Sequence, residues 1–384
     1  MGIVLFCNHH RNQFYPLSTT KAIASLRMGI LTIQERWALA TGELVHIHTA
    51  DYLSSLYPAI TAGEHFWIDS TVVFSADLWA AICQLLPNEA LVDEHGLIAG
   101  RTTKEQHEFD SIIGLACFSA THQYQAERLH HAHEMVKWND YFIKTDFQLV
   151  TKNRTSQPIP QHVTAIHPEN IFIEQGATIS YSILNASTGY IYIGENATIM
   201  EGCLIRGGLV LGNNSLLKMG SKIYGATSFG PNCVGGGEIK NVIMQGNSNK
   251  AHDGYLGDSV IGEWCNFGAG SSNSNVKNTG GTVHLWSEAA QTYLAAGEKF
   301  GLLMGDYSRV AINSSINTGS VIGVCCNVFG AGLLPKHIQN FSWGVNEWYQ
   351  FSKALQDIEN WKKMKHQTIK EAEATMLKHI FETK

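Results

Sequence analysis

The chain has no C-x-x-C pair among its eight cysteines and no cluster of lysine or arginine along any segment. It also has no apolar run near the roughly 18 residues that a membrane span needs. The first absence removes the usual signals of a structural zinc site or a redox dithiol. The second, with a formal net charge of -6, gives nucleic acid little electrostatic purchase. Met1-Gly2-Ile3-Val4-Leu5-Phe6 lacks a basic start and a long apolar core, so it reads as a first strand rather than a signal peptide. What remains is an ordinary hydrophobic share of 44% and a mean hydropathy of -0.08. These describe a soluble chain expected in the cytoplasm. At 384 residues it is long enough for two domains.

Residues 1–155 mix helical and strand patterns. Ile3–Phe6 and Trp67–Phe74 read as strands, and Lys21–Arg27, Thr32–Thr41 and Leu78–Leu86 as helices. His130, His131, His133 and Glu134, with His122 upstream, would suit a metal if they shared a helix, but such runs more often mark a solvated face. The polar, proline-punctuated stretch from Asn153 to Pro160 reads as a linker. Residues 346–384 carry an amphipathic pattern, from Trp348, Phe351 and Leu355 to Ile380, which predicts one long helix packed on the body of the protein.

Between linker and tail, over residues 156–345, the period changes to six. Ile193, Ile199, Ile205, Leu211, Leu217, Ile223 and Phe229 stand six apart, and Met304, Val310, Ile316, Ile322 and Val328 repeat the rule. Four residues after each, the chain places a small or compact residue: Ala197, Cys203, Ser215, Ser221, Thr227 and Cys233, then Ser308, Ser314, Ser320, Cys326 and Gly332, with Leu209 the exception. A hexapeptide of this kind makes one short strand and a tight turn, and three make a triangular coil that stacks on the next. The predicted fold is an α/β N-terminal domain, a left-handed parallel β-helix and a C-terminal α-helix. Prisms of this kind associate as trimers, with clefts between neighbours.

One titratable motif lies at the rim of this scaffold: Lys250-Ala251-His252-Asp253-Gly254-Tyr255-Leu256-Gly257-Asp258, followed by Asn266-Phe267-Gly268-Ala269-Gly270. An imidazole accepts a proton near pH 7, and a Gly-Ala-Gly turn lets backbone N–H groups approach an oxyanion. The plainer reading of a single histidine in a β-helix is a turn residue.

These motifs, set in the hexapeptide array, resemble the acetyltransferase half of the bifunctional glucosamine-1-phosphate acetyltransferase and N-acetylglucosamine-1-phosphate uridyltransferase family. Arg27-Met28-Gly29-Ile30-Leu31-Thr32-Ile33 and Phe341-Ser342-Trp343-Gly344 resemble the two ends of a shorter variant. The resemblance implies that His252 is the general base for an amino-sugar phosphate and that acetyl-CoA is the acyl donor. It implies that Tyr255 contacts the sugar phosphate, that Lys240 of Glu238-Ile239-Lys240 binds the phosphate, and that Asn266 contacts the sugar. The Ala269 N–H would receive the thioester oxyanion, and Asn275 would lie near the acyl donor. Lys222 stands where the family has a phosphate-binding arginine, which keeps the charge but loses the fork.

For residues 1–155 the resemblance implies an α/β nucleotidyltransferase-like fold, but this segment departs further from the family's pattern. The family opens with a Gly-rich phosphate loop, whereas this chain has Cys7-Asn8-His9-His10-Arg11, with no glycine. Pro16–Lys21 would be a remnant, with Arg11 and Lys21 on the phosphates of UTP, and Asp69 and Asp146 on Mg²⁺. Three further readings stand beside the acetyltransferase: a sugar-1-phosphate nucleotidyltransferase whose β-helix trimerises or binds an effector, a non-catalytic binding protein, and a β-helix carbonic anhydrase. The last needs three histidines on neighbouring coils, and only His252 and His284 lie in the central ones.

Overall fold

The computed structural model describes residues 2–7, 9–103 and 118–384, so Cys117 lies outside the described residues. Gly2–Phe6 is buried along its whole length, as a strand covered on both faces must be. It lies between Val45–His48 and His65–Asp69, parallel to both, in a six-stranded sheet. The sheet continues through antiparallel Gly96–Thr102 to Glu89–Asp93 and Ala120–Gln123. Five strands therefore end at one edge, where open α/β sheets hold their ligands.

Among the described residues this domain has four α-helices: α1 (Ile33–Thr41), α2 (Asp51–Ser54), α3 (Ala76–Cys83) and α4 (Glu134–Thr151). Thr32 starts α1 with a capping box to Glu35, and left-handed Gly42 stops it. The helix expected over residues 21–27 is instead a 3₁₀ turn, Ile23–Ser25, and a short strand, Arg27–Met28. Tertiary partners override the pattern there: the Arg27 N–H and C=O both bond the Gln245 side chain. The strand expected to reach Phe74 ends at Asp69, whose carboxylate turns the chain by accepting from the Thr71 N–H and hydroxyl.

From Thr164 onward the chain winds into a parallel β-solenoid with one strand per coil on each of three faces. The first face carries Ile183–Asn185, Leu204–Arg206 and Lys222–Tyr224; the second, Ile191–Ile193, Leu209–Leu211 and Thr227–Phe229; the third, Thr198–Ile199, Leu216–Leu217 and Val234–Gly235. All seven hexad residues from Ile193 to Phe229 are buried in one core, and each contributes about 1.5–3 kcal/mol by leaving water. Of the small corner residues, Gly332 alone is exposed. The hexad register slips after Phe229 because the coils shorten: sixteen residues separate Lys222 from its ladder partner Glu238, and seventeen separate Glu238 from Tyr255. Glu238–Gly246 and Tyr255–Glu263 run unbroken round the corner between first and second faces, turning at left-handed Asn241 and Asp258.

The sheet domain covers the second face, whose outward Ile243, Val260, Leu303 and Val321 share a core with Ile3, Leu26 and Phe142. The tail is two helices rather than one, α5 (Phe351–Lys363) and α6 (Glu371–Glu382), parted by a loop in which His366 is left-handed. The break lets both bury apolar sides, Ile358 and Leu377 among them, with Trp264, Tyr307 and Val324 of the solenoid. The first face stays open, with Ile183 40% and Leu204 49% exposed. Among the described residues, no helix is long and apolar enough to cross a membrane.

Candidate active site

The edge between third and first faces carries the histidine. Turns 236–237, 251–254 and 268–271 stack there so closely that no Cβ fits at Gly236, Gly254 or Gly268. A Cβ on Gly254, at φ 120°, would stand 2.2 Å from the Ser271 carbonyl oxygen. The Gly270 N–H donates to the Asp253 carbonyl at 3.1 Å, and the Asn313 N–H to the Ala269 carbonyl at 2.7 Å. These bonds put His252 and Ala269 on neighbouring coils of one edge, both exposed to solvent. The Ala269 N–H has no acceptor among the described residues.

Strand alternation places Lys222, Glu238 and Tyr255 in one outward column of the first face, with Tyr224 and Lys240 in the next, because Ile223, Ile239 and Leu256 between them point inward. The Tyr224 hydroxyl donates to Glu238 Oε1 at 2.6 Å, and that bond, more than burial, pushes its phenol up to about 12. Lys240 Nζ lies 5.7 Å from the Tyr224 ring centroid. Asn275 donates to the Tyr255 hydroxyl at 3.1 Å and to Asp258, which also accepts from Asn241 at 2.9 Å. Burial first, then the charge of Asp258, raises the Tyr255 phenol well above its ordinary value. A cavity of about 750 Å³ opens beside Asn241 and Asp258 and is also lined by Lys137, Asp140 and Phe300.

The structure thus gathers Lys222, Glu238, Lys240, Tyr255 and Asn275 on one face, with His252 and Ala269 at its edge. Asn266 does not join them. It lies on the third face, laddered between Asn249 and Arg309. Sequence reasoning passed over Tyr224, Asn241 and Asp258, which alternation would have placed on or beside the same face. It also passed over Lys250, a charged residue in an apolar column.

The residues proposed for nucleotide and metal in the sheet domain are otherwise engaged. Lys21 is buried between Glu263 at 2.8 Å and Asp306 at 3.0 Å on the solenoid. Burial opposes its charge, but Asp306 and then Glu263 outweigh it and raise the ammonium above its usual value. Arg11 donates to the Ser18 carbonyl and to the Tyr52 hydroxyl. Asp69 faces Arg128 Nη1 at 2.7 Å, and Asp146 takes Arg36 Nε at 2.7 Å while accepting the Ile30 and Leu31 N–H groups. Each carboxylate is held by its own arginine, so the pair does not fit a Mg²⁺ site. The histidine run precedes α4, with Glu134 accepting the His130 and His131 N–H groups. No set of three or more His, Cys, Asp or Glu suited to a metal ion occurs among the described residues. At the ligand edge of the sheet is a cavity of about 850 Å³ lined by Asp93, Glu94, Tyr124, Glu127, Lys137 and Trp138. Its carboxylates outnumber its cations.

Residues 3–155 match the family model for sugar nucleotidyl transferases. A bifunctional protein GlmU of Methanocaldococcus jannaschii is 30% identical over 105 residues, 27% of this chain and 25% of the relative. The GlmU of a Picosynechococcus species is 26% identical over 172 residues, covering 45% and 30%, and that of Trichormus variabilis is 25% identical over 219 residues, covering 51% and 46%. The chain therefore spans less than half the length of each of these relatives. Residues 3–155 thus carry a sugar nucleotidyl transferase domain ahead of the β-solenoid, in a chain that is similar to GlmU proteins over part of their length.

Proposed function

We propose that the protein is an acetyl-CoA-dependent N-acetyltransferase acting on glucosamine 1-phosphate or a related amino-sugar phosphate, in sugar-nucleotide synthesis in the cytoplasm. The observation that carries this reading is the stacking of the His252 turn on the Ala269 turn, beside a face bearing Lys222, Lys240 and Tyr255. A sugar amine has a pKa near 8 and must be neutral to attack. In this reading His252 removes its proton as nitrogen bonds the thioester carbonyl carbon. The carbonyl oxygen becomes an oxyanion facing the Ala269 N–H, and its collapse breaks the C–S bond and releases CoA thiolate. Lys222 and Lys240 hold the phosphate. Asn266 faces away from Tyr255, so it would serve a site completed by a neighbouring copy, as in a homotrimer joined through the open first face.

The family match of residues 3–155 favours a second reading, uridylyl transfer by the sheet domain. The engaged Arg11, Lys21, Asp69 and Asp146 weigh against it. One paired assay separates the two: CoA released from acetyl-CoA with glucosamine 1-phosphate, and pyrophosphate released from UTP with N-acetylglucosamine 1-phosphate. CoA release alone supports the acetyltransferase. Pyrophosphate alone supports the second reading, and silence in both removes the two together.

A further inference from the structure

The inward column of the third face runs Ile179, Ile199, Leu217, Gly235, Lys250 in successive ladder partners. Aliphatic residues belong at this position, yet one place holds a lysine that is only 1% exposed. Its stem enters the apolar core and its ammonium ends under the histidine edge. Nζ donates to the Gly236 carbonyl at 3.2 Å, the His252 carbonyl at 2.7 Å and the Gly254 carbonyl at 3.1 Å. Three donors meet three acceptors, so the head group is satisfied without a carboxylate.

The three carbonyls belong to two stacked turns. Gly236 comes from one coil, His252 and Gly254 from the next, and the backbones touch: a Cβ on left-handed Gly237 would stand 2.9 Å from the His252 oxygen. Drawing the His252 and Gly254 carbonyls inward leaves the His252 side chain outward, over the Ala269 turn that Gly270 ties to Asp253. A charge inside an apolar prism is costly, and a methionine would fill the same column without that cost. Burial pulls the ammonium down to about 8, against the opposing charge of Asp253, so it keeps its proton at neutral pH. The group thus sits where it costs stability and fixes geometry.

We propose that Lys250 is a positioning residue: its ammonium clamps the 251–254 turn from inside the prism and so sets His252 against the Ala269 N–H. This rests on the acetyltransferase reading of that edge. The site depends on a turn rather than a strand, and without an internal clamp a turn explores more conformations than catalysis tolerates.

The test uses the full chain as wild type, Lys250→Met and Lys250→Gln, with two readouts. Hydrogen exchange is followed at three amides bonded to or across this turn: Glu238 (to the Gly254 oxygen), Gly270 (to the Asp253 oxygen) and Tyr255 (to Ser272 Oγ). Acetyl transfer from acetyl-CoA to glucosamine 1-phosphate is followed for kcat and KM. In Lys250→Met these amides should exchange about 10-fold faster while residues 191–211 keep their protection. Its kcat should fall about 10-fold with KM for the sugar phosphate within about twofold, and Lys250→Gln should recover part of both. Unchanged exchange at the three amides overturns the proposal. Loss of protection throughout the solenoid in both variants also overturns it, because Lys250 would then hold the fold rather than the turn. Should the wild type transfer no acetyl group, the functional reading fails while the exchange data still decide whether the clamp exists.

Discussion

The Gly270 N–H donates to the Asp253 carbonyl at 3.1 Å, fastening the turn that follows Ala269 to the turn that carries His252. A β-solenoid brings groups seventeen residues apart together simply by completing a coil, so the proposed base and its N–H donor would need no dedicated loop to meet. The arrangement is preorganised by the same ladder that holds the fold.

His252 is exposed, and its imidazole makes no hydrogen bond or ion pair among the described residues. His252→Ala should therefore leave thermal stability within about 0.5 kcal/mol. It should lower kcat for acetyl transfer by about 10²-fold or more. Stopped assays with a melting curve on the same sample check both. A variant that keeps its rate removes the base assignment.

Lys240 stands over the Tyr224 ring on the open face, where a sugar phosphate would lie. Lys240→Ala should raise KM for glucosamine 1-phosphate by about 10-fold and leave kcat within about twofold, the signature of lost uniform binding. The rise should shrink in high salt, since the charge of a half-buried lysine on an open face is still partly screened. Equal KM values for variant and wild type would take Lys240 out of the site.

The prism was legible in the sequence because inward positions recur at a fixed interval and admit only apolar groups, as Ile193 to Phe229 show. The open face was legible in part, since alternation about Ile239 and Leu256 puts Glu238, Lys240 and Tyr255 outside. The domain junction was not. Lys21 meets Glu263 and Asp306, more than 240 residues further along, and no local pattern announces a pairing made by packing one domain on another. Asp69 and Asp146 misled for the same reason: Asp69 does end a strand, whereas Asp146 lies inside α4 rather than after a strand, and in sequence a carboxylate looks alike whether it awaits a metal or an arginine. The break between α5 and α6 also escaped, since neither glycine nor proline marks it and His366 takes the left-handed turn instead.

Asp146 gives that distinction a measurable form. Its carboxylate is buried against Arg36 and caps two backbone N–H groups. Removing one member of such a pair leaves the other charge unpaired, so Asp146→Asn should cost about 3–5 kcal/mol in urea denaturation. Pyrophosphate release, if present in the wild type, should keep its Mg²⁺ dependence in the variant. A fully stable variant with weakened Mg²⁺ dependence would restore the metal role.

Ile183 and Leu204 are ladder neighbours on the first face, 40% and 49% exposed, and Tyr181 beside them is 69% exposed. Apolar groups in such a column suit an interface between copies. Leu204→Glu should shift the protein from trimer to monomer in light scattering at micromolar concentration. Acetyl transfer should fall with it if Asn266 serves a neighbour's site. A wild type that is monomeric at that concentration would refute the assembly.

His133 gives the pH prediction. Burial, with the nearby His131 charge, pulls its imidazole down to about 4, and Glu134 only partly opposes this. The ring lies 6.0 Å from Phe300 and stacks on His131. An unfolded histidine takes up its proton near pH 6.5, whereas the folded one waits until about 4. The folded state therefore binds fewer protons across that window, and stability rises with pH through it. The contribution is fully present above pH 6.5 and is lost as pH falls towards 4. His133→Phe keeps an aromatic ring against Phe300 but has nothing to titrate. Urea midpoints of wild type and variant should run parallel above pH 7 and diverge as pH drops from 6.5 to 4, with the wild type losing more. Parallel midpoints down to pH 4 would mean that His133 titrates as freely in the fold as out of it.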